Sequence, residues 1–318
     1  MTRLQVALCM LIVGIAGAMS SSAAGVAPKK TERNSKVLLI VIEGCRPVAL
    51  RLAYTRVLVV LIYMGRFADD TQVLGKKKNA DTVSGPAWSS ILTGVWADKH
   101  GVRDNKFQGA RLDRYPSIFQ RLKEVRPEAE TGIFVSWEPI AERIVPEADE
   151  HRVITAAKGE GLADRESRLA TAATKFLTKE NPDLTLVYFG GVDSTGHSKG
   201  FHPSVPEYIS MIETVDQCIG KVLKGMAARK NFADEDWLVI VTTDHGGRGT
   251  RHYGGIQDPE ILTGFLIVTG SSAGRGAIER PTTIVDVAPT VMNHLQVPVD
   301  AKWEWDGQAV TQDTAPEK

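Results

Sequence analysis

Cysteine is nearly absent from this chain of 318 residues: there are three, Cys9, Cys45 and Cys218. Cys9 lies in an apolar leader, so at most one disulfide is open to the rest, and the spacing argues for none. The fold is therefore not a cysteine scaffold. Net charge is missing too, with 38 lysines and arginines against 38 aspartates and glutamates. No global bias points to nucleic acid or to an acidic membrane surface, so an anionic ligand must be captured by local charge. There are no internal repeats, no long linker, and no apolar run of the ~20 residues that a spanning helix needs. At 43% hydrophobic and 24% charged residues, the composition is that of one ordinary globular domain.

The ends differ from the middle. MTRLQVALCMLIVGIAGAMSSSAAG opens on Arg3, continues apolar through residues 6–19 and closes on small residues. That is the pattern of a secretory signal peptide over residues 1–24. The run is too short for a stable membrane anchor, so the expectation is export, to the periplasm or out of the cell. Residues 311–318 are polar and read as a flexible tail. The domain then spans residues 36–310.

Within it, short apolar β-branched runs recur: KVLLIVI (36–42), TGIFVSW (131–137), LTLVYFG (184–190), WLVIVTT (237–243) and GFLIVTG (264–270). Continuous rather than alternating apolar residues are the mark of strands buried on both faces. Helical spacing lies between them, clearest at Tyr208, Met211, Ile212, Val215, Ile219, Val222 and Met226. Ser204 and Glu207 have the spacing of a capping box, with Pro206 in the first turn. Strands alternating with helices predict an α/β fold: a mostly parallel central sheet with helices on both faces. RVLVVLIYMG (56–65) is apolar on every side and reads as a buried strand or helix rather than a membrane contact.

Ligands in such sheets sit beyond the carboxyl ends of strands. Glu43 follows the first run, Asp193 and His197 follow the third, and Asp244, His245 and His252 follow the fourth. Each alone could be a helix cap or a hydrogen-bonded histidine. Together, three carboxylates and three histidines in glycine-marked loops suit zinc, and also iron or manganese. Of the remaining histidines, His151 and His294 read as surface or helix residues, and His202 lies close to the Asp193 loop. DTVSGPAWSSILTGVWADKHGVRDN (81–105) offers hydroxyls, Thr82 and Ser84, where a turn leads into a helix. A hydroxyl there would meet the positive end of the helix dipole, and a metal pair could deprotonate it.

These motifs resemble the alkaline phosphatase superfamily, in its branch of type I phosphodiesterases and nucleotide pyrophosphatases. The resemblance runs from about residue 36 to about residue 310. It includes Glu43-Gly44-Cys45-Arg46-Pro47, the nucleophile loop, Asp193 to His197, Asp244-His245-Gly246-Gly247 and His252. TIVDVAPTVMNHL (283–295) followed by Trp305-Asp306-Gly307 is similar to the superfamily's closing helix and strand. The family's register after its nucleophile is met by counting from Ser84, which places Pro86, Thr93-Gly94, His100-Gly101 and Asn105; counting from Thr82 breaks it. The resemblance thus implies Ser84 as nucleophile and Asn105 as a holder of a phosphoryl oxygen. It implies two divalent metal ions, one held by Asp193, His197 and His252, the other by Asp244, His245, Glu43 and Ser84. The implied reaction is attack of a Ser84 alkoxide on phosphorus, a phosphoserine, and its hydrolysis by water.

Departures cluster in one corner. The family has aspartate where this chain has Glu43, an acidic residue where Val48 stands, and an amphipathic helix where residues 56–65 are apolar. Two readings follow: an active metal-dependent phosphohydrolase, or a degenerate member that binds metal or a phosphate ligand without turnover. Among substrates, phosphodiesters, phosphomonoesters and phosphonates stay open. Sulfatases use a modified cysteine in a Cys-x-Pro setting, which this chain lacks. Lys76, Lys77, Lys78, Arg248 and Arg251 are candidate partners for a small phosphate ester, or simply solvated loop residues. Trp88 and Trp137 read as core.

Overall fold

The computed structural model describes residues 34–76 and 79–310. Residues 1–33, which include the expected signal peptide, Lys77, Lys78 and residues 311–318 lie outside the described residues.

Eight strands form one sheet: β1 (Asn34–Ile42), β2 (Arg66–Gln72), β3 (Thr131–Val135), β4 (Glu150–Val153), β5 (Leu184–Phe189), β6 (Glu235–Thr242), β7 (Thr263–Thr269) and β8 (Gly276–Ala277). Their spatial order is β4-β3-β5-β1-β6-β7-β2-β8. Each neighbouring pair is parallel except at β7, which runs antiparallel to both β6 and β2. The predicted α/β fold with a mostly parallel sheet is therefore the one observed. The reversal at β7 has a local cause: the chain leaves β6 at the functional end and returns at the same end, so it must run back.

β1 shows why its sequence is apolar without alternation. Val37, Leu39 and Val41 belong to one core layer, and Leu38, Ile40 and Ile42 to the other, all fully buried. A strand covered on both faces needs apolar side chains at every position. β2 and β4 lie nearer the edges and carry more polar residues, and β8 is only two residues long, so apolar runs do not reveal them.

The helices are α1 (Pro47–Leu52), α2 (Arg56–Met64), α3 (Ser84–Thr93), α4 (Ala97–His100), α5 (Ile118–Val125), α6 (Leu162–Lys179), α7 (Gly191–Lys199), α8 (Pro206–Ala227), α9 (Pro259–Leu262) and α10 (Val287–His294). α3, α5 and α10 contribute to the first core layer, and α1, α2, α6 and α8 to the second. The apolar 56–65 segment is helix α2, but it is buried on one side only. Val57, Leu58 and Leu61 face the core, while Val59 is 57% and Tyr63 is 75% exposed.

α2 has no cap of its own. Its first amides are satisfied from α8, where the Asp216 carboxylate accepts from Leu58 N at 2.8 Å and Val57 N at 3.1 Å. The capping box expected at Ser204 does not form. Val205 is the cap residue of α8 and makes no side-chain cap bond. The Ser204 hydroxyl pairs instead with His202 Nδ1 at 2.6 Å, which keeps that exposed histidine in its own loop.

Residues 305–307 form no strand ladder. They strap the end of α3: Asp306 N donates to Gly94 O at 2.9 Å, and Asp306 Oδ2 accepts from Trp96 N at 2.9 Å. His294 is a buried helix residue bonded to Asp236 O, and His151 sits on β4.

Candidate active site

Three neighbouring strands end together, and each hands over a carboxylate. β1 is followed by Glu43, β6 by Asp244 after one threonine, and β5 leads into α7, which carries Asp193 and His197. On α7 these two lie four residues apart, so they share a face. The distance from His197 Nε2 to Asp193 Oδ2 is 3.4 Å. Gly44 lets the strand ends converge. Its φ is +66°, its amide donates to Asp244 Oδ1 at 3.2 Å, and a Cβ there would lie 2.8 Å from Asp193 Oδ1. Only glycine accepts both the left-handed backbone and that approach.

The three histidines are oriented alike. Nδ1 of His245 lies 2.8 Å from Gly246 O, Nδ1 of His252 lies 2.7 Å from Thr82 O, and Nδ1 of His197 lies 2.9 Å from Thr250 O. A carbonyl can only accept, so each Nδ1 carries a hydrogen; in the neutral ring the Nε2 then presents a lone pair. Those lone pairs converge. His252 Nε2 is 3.0 Å from His197 Nε2 and 3.7 Å from Asp193 Oδ1, and His245 Nε2 is 3.3 Å from Asp244 Oδ2. The rings of His245 and His252 stack at 3.8 Å.

This donor set fits cations. Asp193 Oδ1, Asp244 Oδ2 and His245 Nε2 are buried without a hydrogen-bond partner, an arrangement that is costly unless a ligand satisfies it. Two groups of donor atoms each fall within 4.8 Å of one another: Asp193, His245 and His252, and Glu43, Asp244 and His245. His245 is common to both, so the pair of sites is one continuous cluster.

Burial sets the proton affinities. It pushes the Glu43 carboxyl up to about 8, with the Asp244 charge adding to the effect. It pushes Asp244 up to about 7, and Asp193 well above its ordinary value. Burial lowers His245 to about 4 and His252 to about 2, which keeps both imidazoles neutral and able to ligate.

Ser84 is the first residue of α3 and is buried among this cluster, 6% exposed. Its Oγ donates to Glu43 Oε1 at 2.7 Å. Asn105 stands beside it, where its Oδ1 accepts from Gly85 N at 2.7 Å and leaves the Nδ2 hydrogens for another partner. Gly85 has no room for a side chain, since a Cβ would lie 2.9 Å from Asn105 Oδ1. Thr82 has a different job. Its hydroxyl donates to His252 O and accepts from Gly255 N at 2.9 Å, so it braces the loop that carries His252.

The structure brings Glu43, Ser84, Asn105, Asp193, His197, Asp244, His245 and His252 together. It does not bring all the predicted cations to them. Arg248 is paired with Asp258 at 3.2 Å, and Arg251 lies over the Tyr253 ring at 5.9 Å. Trp88 is core and fully buried, and Trp137 is half-buried against Phe107. Two residues of the surroundings escape a sequence reading. Arg46 joins Phe201 O at 2.7 Å to Glu260 at 2.6 Å, and Tyr188 donates its phenol to Glu43 Oε2. Tyr188 sits in a strand-like apolar run, where nothing in the spacing marks it.

Residues 142–262 match the type I phosphodiesterase / nucleotide pyrophosphatase family. Among curated proteins, the chain is 33% identical over 193 residues to ectonucleotide pyrophosphatase/phosphodiesterase family member 7 of Homo sapiens; the match covers 52% of this chain and 38% of that protein. The chain therefore spans well under half the length of that relative. Among solved structures, murine ectonucleotide pyrophosphatase / phosphodiesterase 5, in an inactive form with AMP, superposes with a TM-score of 0.61 at 14% identity, covering 83% of this chain and 96% of that one. A 2-O GAG sulfatase superposes with a TM-score of 0.65 at 14% identity, covering 88% and 73%. Likenesses of this kind report the shared fold. The chain thus has the alkaline phosphatase-like fold, and its sequence resembles the branch of type I phosphodiesterases and nucleotide pyrophosphatases.

Proposed function

We propose that this chain is an exported, metal-dependent phosphodiester hydrolase that works through a phosphoserine on Ser84. What carries the reading is the Ser84 hydroxyl, held at 2.7 Å by Glu43 Oε1 at the start of α3 and facing the convergent carboxylates and imidazoles. Asp193, His197 and His252 would hold one divalent ion, and Glu43, Asp244, His245 and Ser84 the other; zinc suits these ligands, as do manganese and iron. Such ions, when bound, supply Lewis-acid activation of the hydroxyl and neutralise the charge of the phosphate.

The chain's own groups do the rest. Ser84 Oγ attacks phosphorus, its proton passes to Glu43 Oε1, and the bond from phosphorus to the leaving alcohol breaks. Water then hydrolyses the phosphoserine, which restores the hydroxyl and releases a phosphomonoester. The Asn105 Nδ2 hydrogens meet the non-bridging oxygens. A cleft of about 1060 Å³ lined by residues of the 248–261 loop, the loop that carries His252, is the proposed place of a small-molecule leaving group.

The test is hydrolysis by zinc-loaded protein of bis-p-nitrophenyl phosphate, p-nitrophenyl phosphate and p-nitrophenyl sulfate, with Ser84→Ala alongside. Turnover that prefers the diester and disappears in the variant is expected. Preference for the monoester moves the substrate class. No turnover on any ester, in folded protein that binds zinc, leaves a metal- or phosphate-binding protein instead.

A further inference from the structure

The resemblance implies aspartate at position 43, and the glutamate found there carries one more methylene. A longer carboxylate has an extra torsion and more places to point. In this chain both of its oxygens are claimed, by different hydroxyls. Ser84 Oγ donates to Oε1 at 2.7 Å, and the Tyr188 phenol donates to Oε2.

We propose that Tyr188 is the positioning residue that lets a glutamate serve here: by holding Oε2 it turns the carboxylate so that Oε1 faces Ser84. This rests on the reading of Ser84 as nucleophile and Glu43 as ligand.

Three constraints fix the phenol. Tyr188 is on β5, directly opposite Val41 of β1, one strand across and two residues before Glu43. Trp88 of α3 meets the ring edge-on, with centroids 4.9 Å apart and planes at 82°. Gly190 keeps the space open. A Cβ at that position would lie 2.8 Å from the Tyr188 hydroxyl oxygen and 3.2 Å from Glu43 Oε2, so a side chain would wedge into the pair. The tyrosine ring is 2% exposed, so water does not compete for Oε2. Groups that orient a ligating carboxylate commonly matter to metal affinity by about 10–100-fold.

The experiment is zinc titration of the metal-free protein by calorimetry, for the unchanged chain, Tyr188→Phe, Glu43→Asp, the double variant and Gly190→Ala. Tyr188→Phe keeps the ring against Trp88, and near-ultraviolet circular dichroism verifies the fold. In the glutamate chain it should weaken one zinc-binding step by ~10-fold or more and leave the other unchanged. Gly190→Ala should weaken the same step with the phenol still present. In the Glu43→Asp background the shorter carboxylate does not reach the phenol, so adding Tyr188→Phe should change neither step by more than about threefold. Equal losses in both backgrounds, or no loss in the glutamate chain, overturn the proposal. Zinc binding needs no turnover, so the two readings fail separately. Coupling without hydrolysis of any ester removes only the hydrolase reading, and hydrolysis without coupling removes only the role of Tyr188.

Discussion

The residues of the 193–252 arc and those of the 43–64 corner bring ligands to the same cluster by different means. In the arc, each histidine is held by a backbone carbonyl: Gly246 O for His245, Thr82 O for His252 and Thr250 O for His197. Backbone supports depend on loop shape, and the glycines around them set that shape. In the corner, Glu43 is held by side chains, Ser84 and Tyr188. The helices that follow the corner are fastened from elsewhere too, with Asp216 of α8 capping α2. The arc therefore matches a familiar sequence pattern, while the corner departs from it and still delivers its carboxylate. A position supported by side chains can change residue when its supporters fit the new one.

The largest effect is expected at Ser84, the proposed nucleophile, where arc and corner meet. Ser84→Ala should lower diester turnover by ~10⁴-fold or more while the protein still binds zinc. Initial rates decide this, and retention of a tenth of the activity would return the nucleophile to Thr82 or to water.

Inside the corner, packing and chemistry separate. Leu58 of α2 is fully buried, so Leu58→Ala should cost about 2–5 kcal/mol of stability in urea unfolding. Val59, one residue on, is 57% exposed, and Val59→Ala should stay within about 0.5 kcal/mol. Equal losses at both positions would mean that α2 is covered on its outer side in solution.

Glu43→Asp sharpens the contrast further. If the corner has adapted to glutamate, this return to the family's residue should lower turnover and one zinc-binding step by about tenfold. A gain in both would instead mark Glu43 as a defect.

The smallest effect is the pH dependence of the metal-free chain. Glu43 and Asp244 have folded pKa values of about 8 and about 7, raised from 4.5 and 3.8 by burial. Each binds its proton more tightly folded than unfolded, so their contribution to stability falls as pH rises toward 8. His245 and His252, lowered by burial, act in the opposite sense, but only below their ordinary value of 6.5. Between pH 6.5 and 8 the raised carboxyls, Asp193 among them, set the slope, because the two histidines no longer titrate there. The melting temperature in EDTA should therefore fall across that window, and saturating zinc should flatten the slope because the ion replaces the protons. A flat profile in EDTA would mean that the carboxylates are not buried together.

Much of this was legible in the chain itself. Apolar runs marked β1, β3, β5, β6 and β7 because strands covered on both faces leave no position for a polar side chain. The carboxylates and histidines were legible because ligands lie at strand ends, and a strand end is a place in the sequence. Strands toward the edges were not: β2 reads RFADDTQ and β4 reads EHRV, since strands less fully covered can hold polar residues. The capping box at Ser204 failed because the hydroxyl had a nearer partner in His202. The 56–65 segment misled because composition records apolarity and not which side is covered.

The sequence by itself determined the sheet's central strands and the chemical identities gathered at their ends. Only the tertiary structure decided how those groups are held: the carbonyls that support each imidazole, the Thr82 hydroxyl bracing the His252 loop, and Tyr188 on Glu43. The reason is physical. A donor's identity is local to one residue, whereas its orientation depends on partners that lie 145 residues away, as for Tyr188 and Glu43, or 170, as for Thr82 and His252. Such pairs meet only when the sheet assembles.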